Sequence, residues 1–259
     1  MRLRLNESGL TVVELLAVII TSSIIVGTVT AFALNFWTNT AVVQSDEDTL
    51  VTRLNAGDYL RNAMNSAAGL INQNDLADTH TGNADPADAS GTYWVPIHAV
   101  PGTISIGATG TITPLIYFNR PGVDTSNNVI MNGTIPYQDD VIFYMNGTTK
   151  QLIARVIANP DAANNRAKTT CPLAFATQSC PQDTVIADNV SGVGMRYFSR
   201  SGNTIDYTSI VDPNTGAYIG PDFTSVEVVE FTLKLSKKAQ LHNGADTINQ
   251  TVIRVALRN

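Results

Sequence analysis

The residue of this 259-residue chain that most needs a chemical reason is Glu14, a carboxylate inside an apolar run that carries no further charge until Asp46. A carboxylate costs about 2.5–3.5 kcal/mol at a bilayer centre on insertion scales, and less near the edge, so it has a partner or a function there, or it snorkels to the headgroups. Just ahead of it, Gly9 and Leu10 join a short leader bearing Arg2 and Arg4 to the apolar run. A secretory signal carries its small-residue cleavage site on the far side of a shorter apolar core. Here the plausible cut precedes the hydrophobic segment and leaves that segment in the mature protein. Cys171 and Cys180, in a polar region flanked by prolines, enclose Pro-Leu-Ala-Phe-Ala-Thr-Gln-Ser. An even pair in an exported domain points to a disulfide, with two free thiols as the alternative. Closing a loop of about ten residues contributes on the order of 2–3 kcal/mol. A metal quartet is disfavoured, because there is no CxxC and the three histidines, His80, His98 and His242, are distant in sequence.

Other chemistries leave little trace. There is no G-x-S-x-G, no HExxH and no phosphate-cradling glycine loop followed by Lys and Ser or Thr. Gly192-Val193-Gly194 is a lone G-x-G that reads as a bulge or turn. From Asn72 to Gly91 the chain is polar, with Asp78, His80, Asp85 and Asp88 among loop formers. Its spacing is not that of a calcium loop, so a solvated loop is the stronger expectation and Ca²⁺ the weaker. A formal charge of −6 and a pI near 4.9, with the cations dispersed, give no face for nucleic acid. No cofactor and no enzymatic activity are expected.

These residues need elements to carry them. Leu10 to Phe36 is 27 residues, which as a helix spans roughly 40 Å, enough for a bilayer core of about 30 Å. No proline occurs before Pro86, and Leu50, Leu54, Leu60, Met64, Ala67 and Ile71 form an apolar stripe interrupted by Gly57. The helix is therefore expected to continue beyond the membrane, through 37–76, and to lie on a sheet, with Tyr59 and Met64 as packing residues. Beyond Tyr93 come short β-rich runs: 93–95, 103–106, 115–118, 141–145, 151–157, 193–198, 226–235 and 251–257. Asn146-Gly147 joins two of them as a hairpin, and Phe231, Leu233 and Leu235 alternate with Thr232, Lys234 and Ser236 as in a strand with one wet face. Helix first and antiparallel sheet after is an α+β order. Arg2 and Arg4 before the apolar run, and Asp46, Glu47 and Asp48 after it, leave the N-terminus cytoplasmic and the bulk outside by the positive-inside tendency.

The junction as a whole, Gly9-Leu10-Thr11-Val12-Val13-Glu14-Leu15-Leu16, resembles the class III leader of type IV prepilins and pseudopilins. The resemblance implies cleavage after Gly9 by a prepilin peptidase, N-methylation of Leu10, and a role for Glu14 in assembly and axial register. Leu10 departs from the usual phenylalanine but keeps an apolar side chain. Val190-Ser191-Gly192-Val193-Gly194-Met195-Arg196-Tyr197-Phe198, followed by Ser201-Gly202-Asn203, is similar to a strand and turn of the J-type pseudopilins and PilW-like minor pilins. So are Asp140-Val141-Ile142-Phe143-Tyr144 and the closing Val252 to Asn259, whereas residues 72–136 match no pattern of that family.

The expectation is an α+β pilin-like chain. It comprises a leader at 1–9, a transmembrane and filament-core helix at 10–36, a soluble helical half at 37–76 and an extracytoplasmic β-rich domain at 77–259. It would act as a minor pilin or pseudopilin, held in the inner membrane before entering a filament. Its partners would be other major and minor pilins or pseudopilins, the prepilin peptidase, the inner-membrane assembly platform and membrane lipid. The competing reading is a membrane-anchored binding module or adhesin whose helix never enters a filament. A tethered hydrolase is the third.

Overall fold

A computed structural model describes residues 11–71, 73–79, 93–94, 102–105, 112–205, 223–237 and 247–257. Helix α1 runs Val12–Asn65 without a break. Its residues up to Asp48 belong to one compact unit, and those from Thr49 belong to a β-rich unit with the rest of the described chain.

In the β-rich unit, strands β1 (Gly69–Ile71), β2 (Gly102–Ser105) and β3 (Ile112–Pro121) are followed by β4 (Met131–Asn132), β5 (Ile135–Pro136), β6 (Gln138–Asn146) and β7 (Gln151–Ile157). Then come β8 (Thr184–Ala187), β9 (Val190–Ser199), β10 (Thr204–Ile205), β11 (Val226–Lys237) and β12 (Thr247–Ala256). The first sheet has the order β1-β3-β6-β7-β8. The second has the order β10-β9-β11-β12, with β2 also on β9, and β4-β5 is a separate ribbon. The strand pairs in all three are antiparallel, so the α+β order expected of the sequence is the architecture found.

The alternation of side chains explains which faces are dry. In β11, Phe231, Leu233 and Leu235 are buried while Thr232, Lys234 and Ser236 are partly exposed. On the wet face of that sheet Glu230 sits opposite both Arg196 and Arg254 and pairs with each. Strands β6 and β7 instead read as nearly continuous apolar runs because both faces of the first sheet are covered. Val141, Phe143, Met145, Leu152 and Ala154 point into the main core with α1 and the second sheet. Tyr117, Ile142, Tyr144, Ile153 and Ile157 form a second core with Trp94. Phe143 ties the main core together, its ring 5.2 Å from Phe118, 6.3 Å from Tyr59 on α1 and 6.4 Å from Phe231 in the second sheet.

The helix ends eleven residues before the expected 76. After Asn65 the turn tightens, with Ser66 N donating to Ala63 O and Ala67 N to Met64 O, and Ala68 N then donates to Asn119 O. The edge of β3 captures Gly69, Leu70 and Ile71 as β1, and their backbone groups are satisfied there instead of within a helix. Leu50 and Leu54, counted in the apolar stripe, are exposed; burial on the sheets begins at Ala56 and continues through Leu60 and Met64. Tyr59 and Met64 do pack in the core, as expected.

The hairpin at Asn146 also forms, but through a four-residue turn. Asn146 pairs with Gln151, its Oδ1 accepts from the N–H groups of Thr148 and Thr149, and Lys150 takes the left-handed conformation at φ 55°. Gly192 and Gly194 lie within β9, beside the register shift where the pairing passes from Gly192 to Val190.

Gly57 is buried against β12, where an added Cβ would meet Ile253 Cδ1 at 3.7 Å and Arg61 Nη1 at 3.8 Å, both ordinary contacts. A helical glycine costs about 0.5–1 kcal/mol relative to alanine, so Gly57→Ala is expected to stabilise the domain by that amount. Thermal unfolding of the two proteins side by side checks it, and a lowered Tm would show that the helix cannot tolerate the methyl group.

Candidate functional site

The apolar half of α1 is the first candidate. It is long and apolar enough to cross a membrane, and none of its most apolar window is buried within the protein. Val13, Leu16, Ile20, Ile24, Phe32 and Phe36 are all more than half exposed. Four of its hydroxyls are satisfied within the helix and do not oppose an apolar environment: Thr21, Ser23, Thr28 and Thr30 each donate to a carbonyl three or four residues back, at 2.8–3.1 Å.

Gly9 and Leu10 lie outside the described residues. Glu14 sits in the first turn of α1, where its Oε2 accepts from Thr11 N at 2.9 Å and from Thr11 Oγ1 at 3.0 Å. Glu14 N in turn lies 3.4 Å from Thr11 Oγ1. This is a reciprocal capping box, in which the carboxylate satisfies one of the backbone donors orphaned at a helix start. The Thr-x-x-Glu spacing was there to be read in the sequence.

Cys171 and Cys180 are bonded, with Cα atoms 5.6 Å apart and both residues buried, and this closes the free-thiol alternative. The loop they close holds the short 3₁₀ turn Leu173–Phe175, which exposes Leu173 and Phe175. His80, His98 and His242 lie outside the described residues.

Sequence reasoning missed a buried polar cluster on the outer face of the first sheet. Arg155, fully buried in β7, holds its Nε 2.8 Å from Asp78 Oδ2 and its Nη1 3.7 Å from Asp183 Oδ2. Its guanidinium lies 5.4 Å from the ring centre of Trp94. Trp94 Nε1 donates to Asp78, and Tyr144 and Thr170 donate their hydroxyls to Asp183. Burial pushes the Asp183 carboxyl above its ordinary range, partly opposed by Arg155 and these hydrogen bonds. Asp78 is therefore core and not a solvated loop residue. So is Asn74, whose side chain accepts from Trp94 N and donates to Leu76 O.

A second polar region opens at the ends of β3 and β6, as a cavity of about 290 Å³ lined by Asp75, Asn119, Tyr137, Gln138, Asp140 and Asn159, among others. Burial pushes the Asp140 carboxyl up to about 7, against the N–H donors of Leu76 and Asp75.

Compared with known proteins, the chain matches no family model and no curated protein.

Proposed function

We propose that this chain is a minor pilin or pseudopilin. In this reading it is a structural subunit that joins or initiates a type IV pilus-like filament after a prepilin peptidase removes residues 1–9, and it has no catalytic role. The observation that carries the reading is the length of exposed apolar helix. Large apolar side chains are exposed from Val12 through Trp37 and again at Val42, Val43, Leu50, Val51 and Leu54. At about 1.5 Å per residue this reach is roughly twice the thickness of a bilayer core. A simple anchor needs only the first half. Apolar positions beyond it, interleaved with Asp46, Glu47 and Asp48, suit lateral contact with neighbouring helices. In such assembly burial among helices replaces burial in lipid, so the step depends on positioning more than on net hydrophobic gain. The N-terminus would be cytoplasmic, the β-rich domain outside, and Leu10 the methylated first residue.

N-terminal mass spectrometry of protein from its native membrane tests this. A mature chain beginning at Leu10 is expected, and Gly9→Val should block the cut while leaving membrane insertion intact. A chain that retains Met1, or one cut beyond Phe36, would favour the anchored binding module or remove the helix from the mature protein altogether.

A further inference from the structure

Among the described residues of the β-rich unit, three buried side-chain oxygens have no hydrogen-bond partner: Asn119 Oδ1, Gln138 Oε1 and Asp140 Oδ1. All three residues line the same cavity, together with Asp75. The register explains the convergence. Asn119 pairs directly with Asp140 across β3 and β6, and Gln138 is two residues from Asp140, so the three side chains share one face of the sheet. Arg120 and Asp139 are displaced to the other face, where Asp139 meets Arg120 and accepts from Asn159 N and Asn165 Nδ2. Asp140 is 1 % exposed, and its second oxygen is occupied by Leu76 N at 2.7 Å. Asp75, beside Leu76, has its Oδ2 accepting from Asn119 Nδ2 at 3.1 Å, which fixes the amide with its oxygen free.

A buried carboxylate oxygen without a donor costs free energy, and two amide oxygens left bare around the same space repeat that cost. A cation removes the cost at all three. We propose that this cavity binds a hard divalent cation, Ca²⁺ being the ion that fits, through Asp75, Asn119, Gln138 and Asp140. Among the described residues no three His, Cys, Asp or Glu side chains converge, so the donor set is two carboxylates and two amide oxygens. An all-oxygen set with two negative charges suits Ca²⁺, which accepts six to eight oxygen ligands in flexible geometry, with water completing the shell. Mg²⁺ demands stricter octahedral geometry and a smaller cage. The inference is independent of the filament reading.

The test uses the full chain in detergent micelles, with Ca²⁺ alone and Tb³⁺ as its luminescent stand-in, sensitised by Tyr137 in the cavity wall. Ca²⁺ should raise Tm by several degrees over a chelator control, and Tb³⁺ luminescence should appear at one equivalent and be displaced by Ca²⁺. Asp140→Asn should abolish both responses while raising Tm in chelator, since it removes the unpaired buried charge. Asp75→Asn, at an exposed position where an amide oxygen can still accept from Asn119 Nδ2, should weaken Ca²⁺ at least about tenfold. Luminescence that persists in Asp140→Asn, or a Tm indifferent to Ca²⁺ and chelator in the millimolar range, would overturn the assignment.

Discussion

Arg155→Met is expected to destabilise the β-rich domain by about 3–5 kcal/mol, the usual cost of stranding a buried charge. Arg155 is fully buried, and so is Asp78 beside it, while Asp183 is all but closed from solvent. Methionine fills most of the volume, so packing is largely kept and what remains is two buried carboxylates that keep their Trp94, Tyr144 and Thr170 donors but have lost the guanidinium between them. For a domain of this size the loss corresponds to a Tm lower by roughly 6–20 °C. The sign of the pH dependence is fixed by the same geometry. Burial already holds the Asp183 carboxyl above its ordinary value, so the native state binds that proton more tightly than the unfolded chain. Stability from this group is present at low pH and lost as pH rises through the folded-state value. Without the guanidinium the effect grows, and the deficit of Arg155→Met should be smaller at pH 5 than at pH 8. Replacing all three charges together, as Asp78→Asn, Arg155→Met and Asp183→Asn, should recover much of the loss, because a buried ionic set exchanged for neutral groups is often close to neutral in stability. Thermal unfolding of the single and triple variants decides it. A loss below about 1 kcal/mol in the single variant would mean that the carboxylates relax to water when the arginine is gone.

This cluster also shows where the sequence stops being legible. The long helix is readable because its apolar residues are contiguous and no proline interrupts them, and β11 because Phe231, Leu233 and Leu235 alternate with polar neighbours. Both are local patterns. Arg155, in contrast, sits in Leu152-Ile153-Ala154-Arg155-Val156 as one charge in an apolar strand, and only its partners reveal why it is tolerated. Asp78 lies 77 positions earlier, in a segment whose composition is that of a solvated loop. Its described residues, 73–79, lie on the outer face of the first sheet, where Asn74 and Asp78 accept from Trp94 on either side of Leu76, which packs on the second core. Polar composition reports how backbone and side-chain donors can be satisfied, not whether they meet water. The early end of the helix has the same origin. Ala67, Leu70 and Ile71 continue a helical spacing, but the open edge of β3 offers Leu70 and Ile71 a ladder, and a choice between two satisfied states is settled by tertiary contact rather than by local pattern.

On the proposed filament reading, Glu14→Ala is expected to abolish entry into filaments while leaving membrane insertion and leader removal intact. Cleavage after Gly9 would create an α-amine on Leu10, at the helix end where the macrodipole is already positive, and such a cation cannot stay in a filament core without a countercharge. Its loss in a fully buried setting is worth about 3–5 kcal/mol, or at least a hundredfold in the assembly equilibrium. In the single chain, however, the same carboxylate caps its own helix by accepting from Thr11 N and Thr11 Oγ1. Two roles are therefore open to one side chain, a local cap and a countercharge to an amine, and alanine removes both. Glu14→Gln separates them. A glutamine at this position still completes a Thr-x-x-Gln capping box but carries no charge. If Glu14 acts as the countercharge, Gln is as defective as Ala, and Asp is partly impaired because its shorter side chain falls short of the amine. The readouts are crosslinking to partner prepilins and the number of surface filaments in a strain carrying each variant. Normal crosslinks and filaments with Glu14→Gln, and a defect only with Glu14→Ala, would reduce this carboxylate to a helix cap; normal filaments with both would leave it no part in assembly at all.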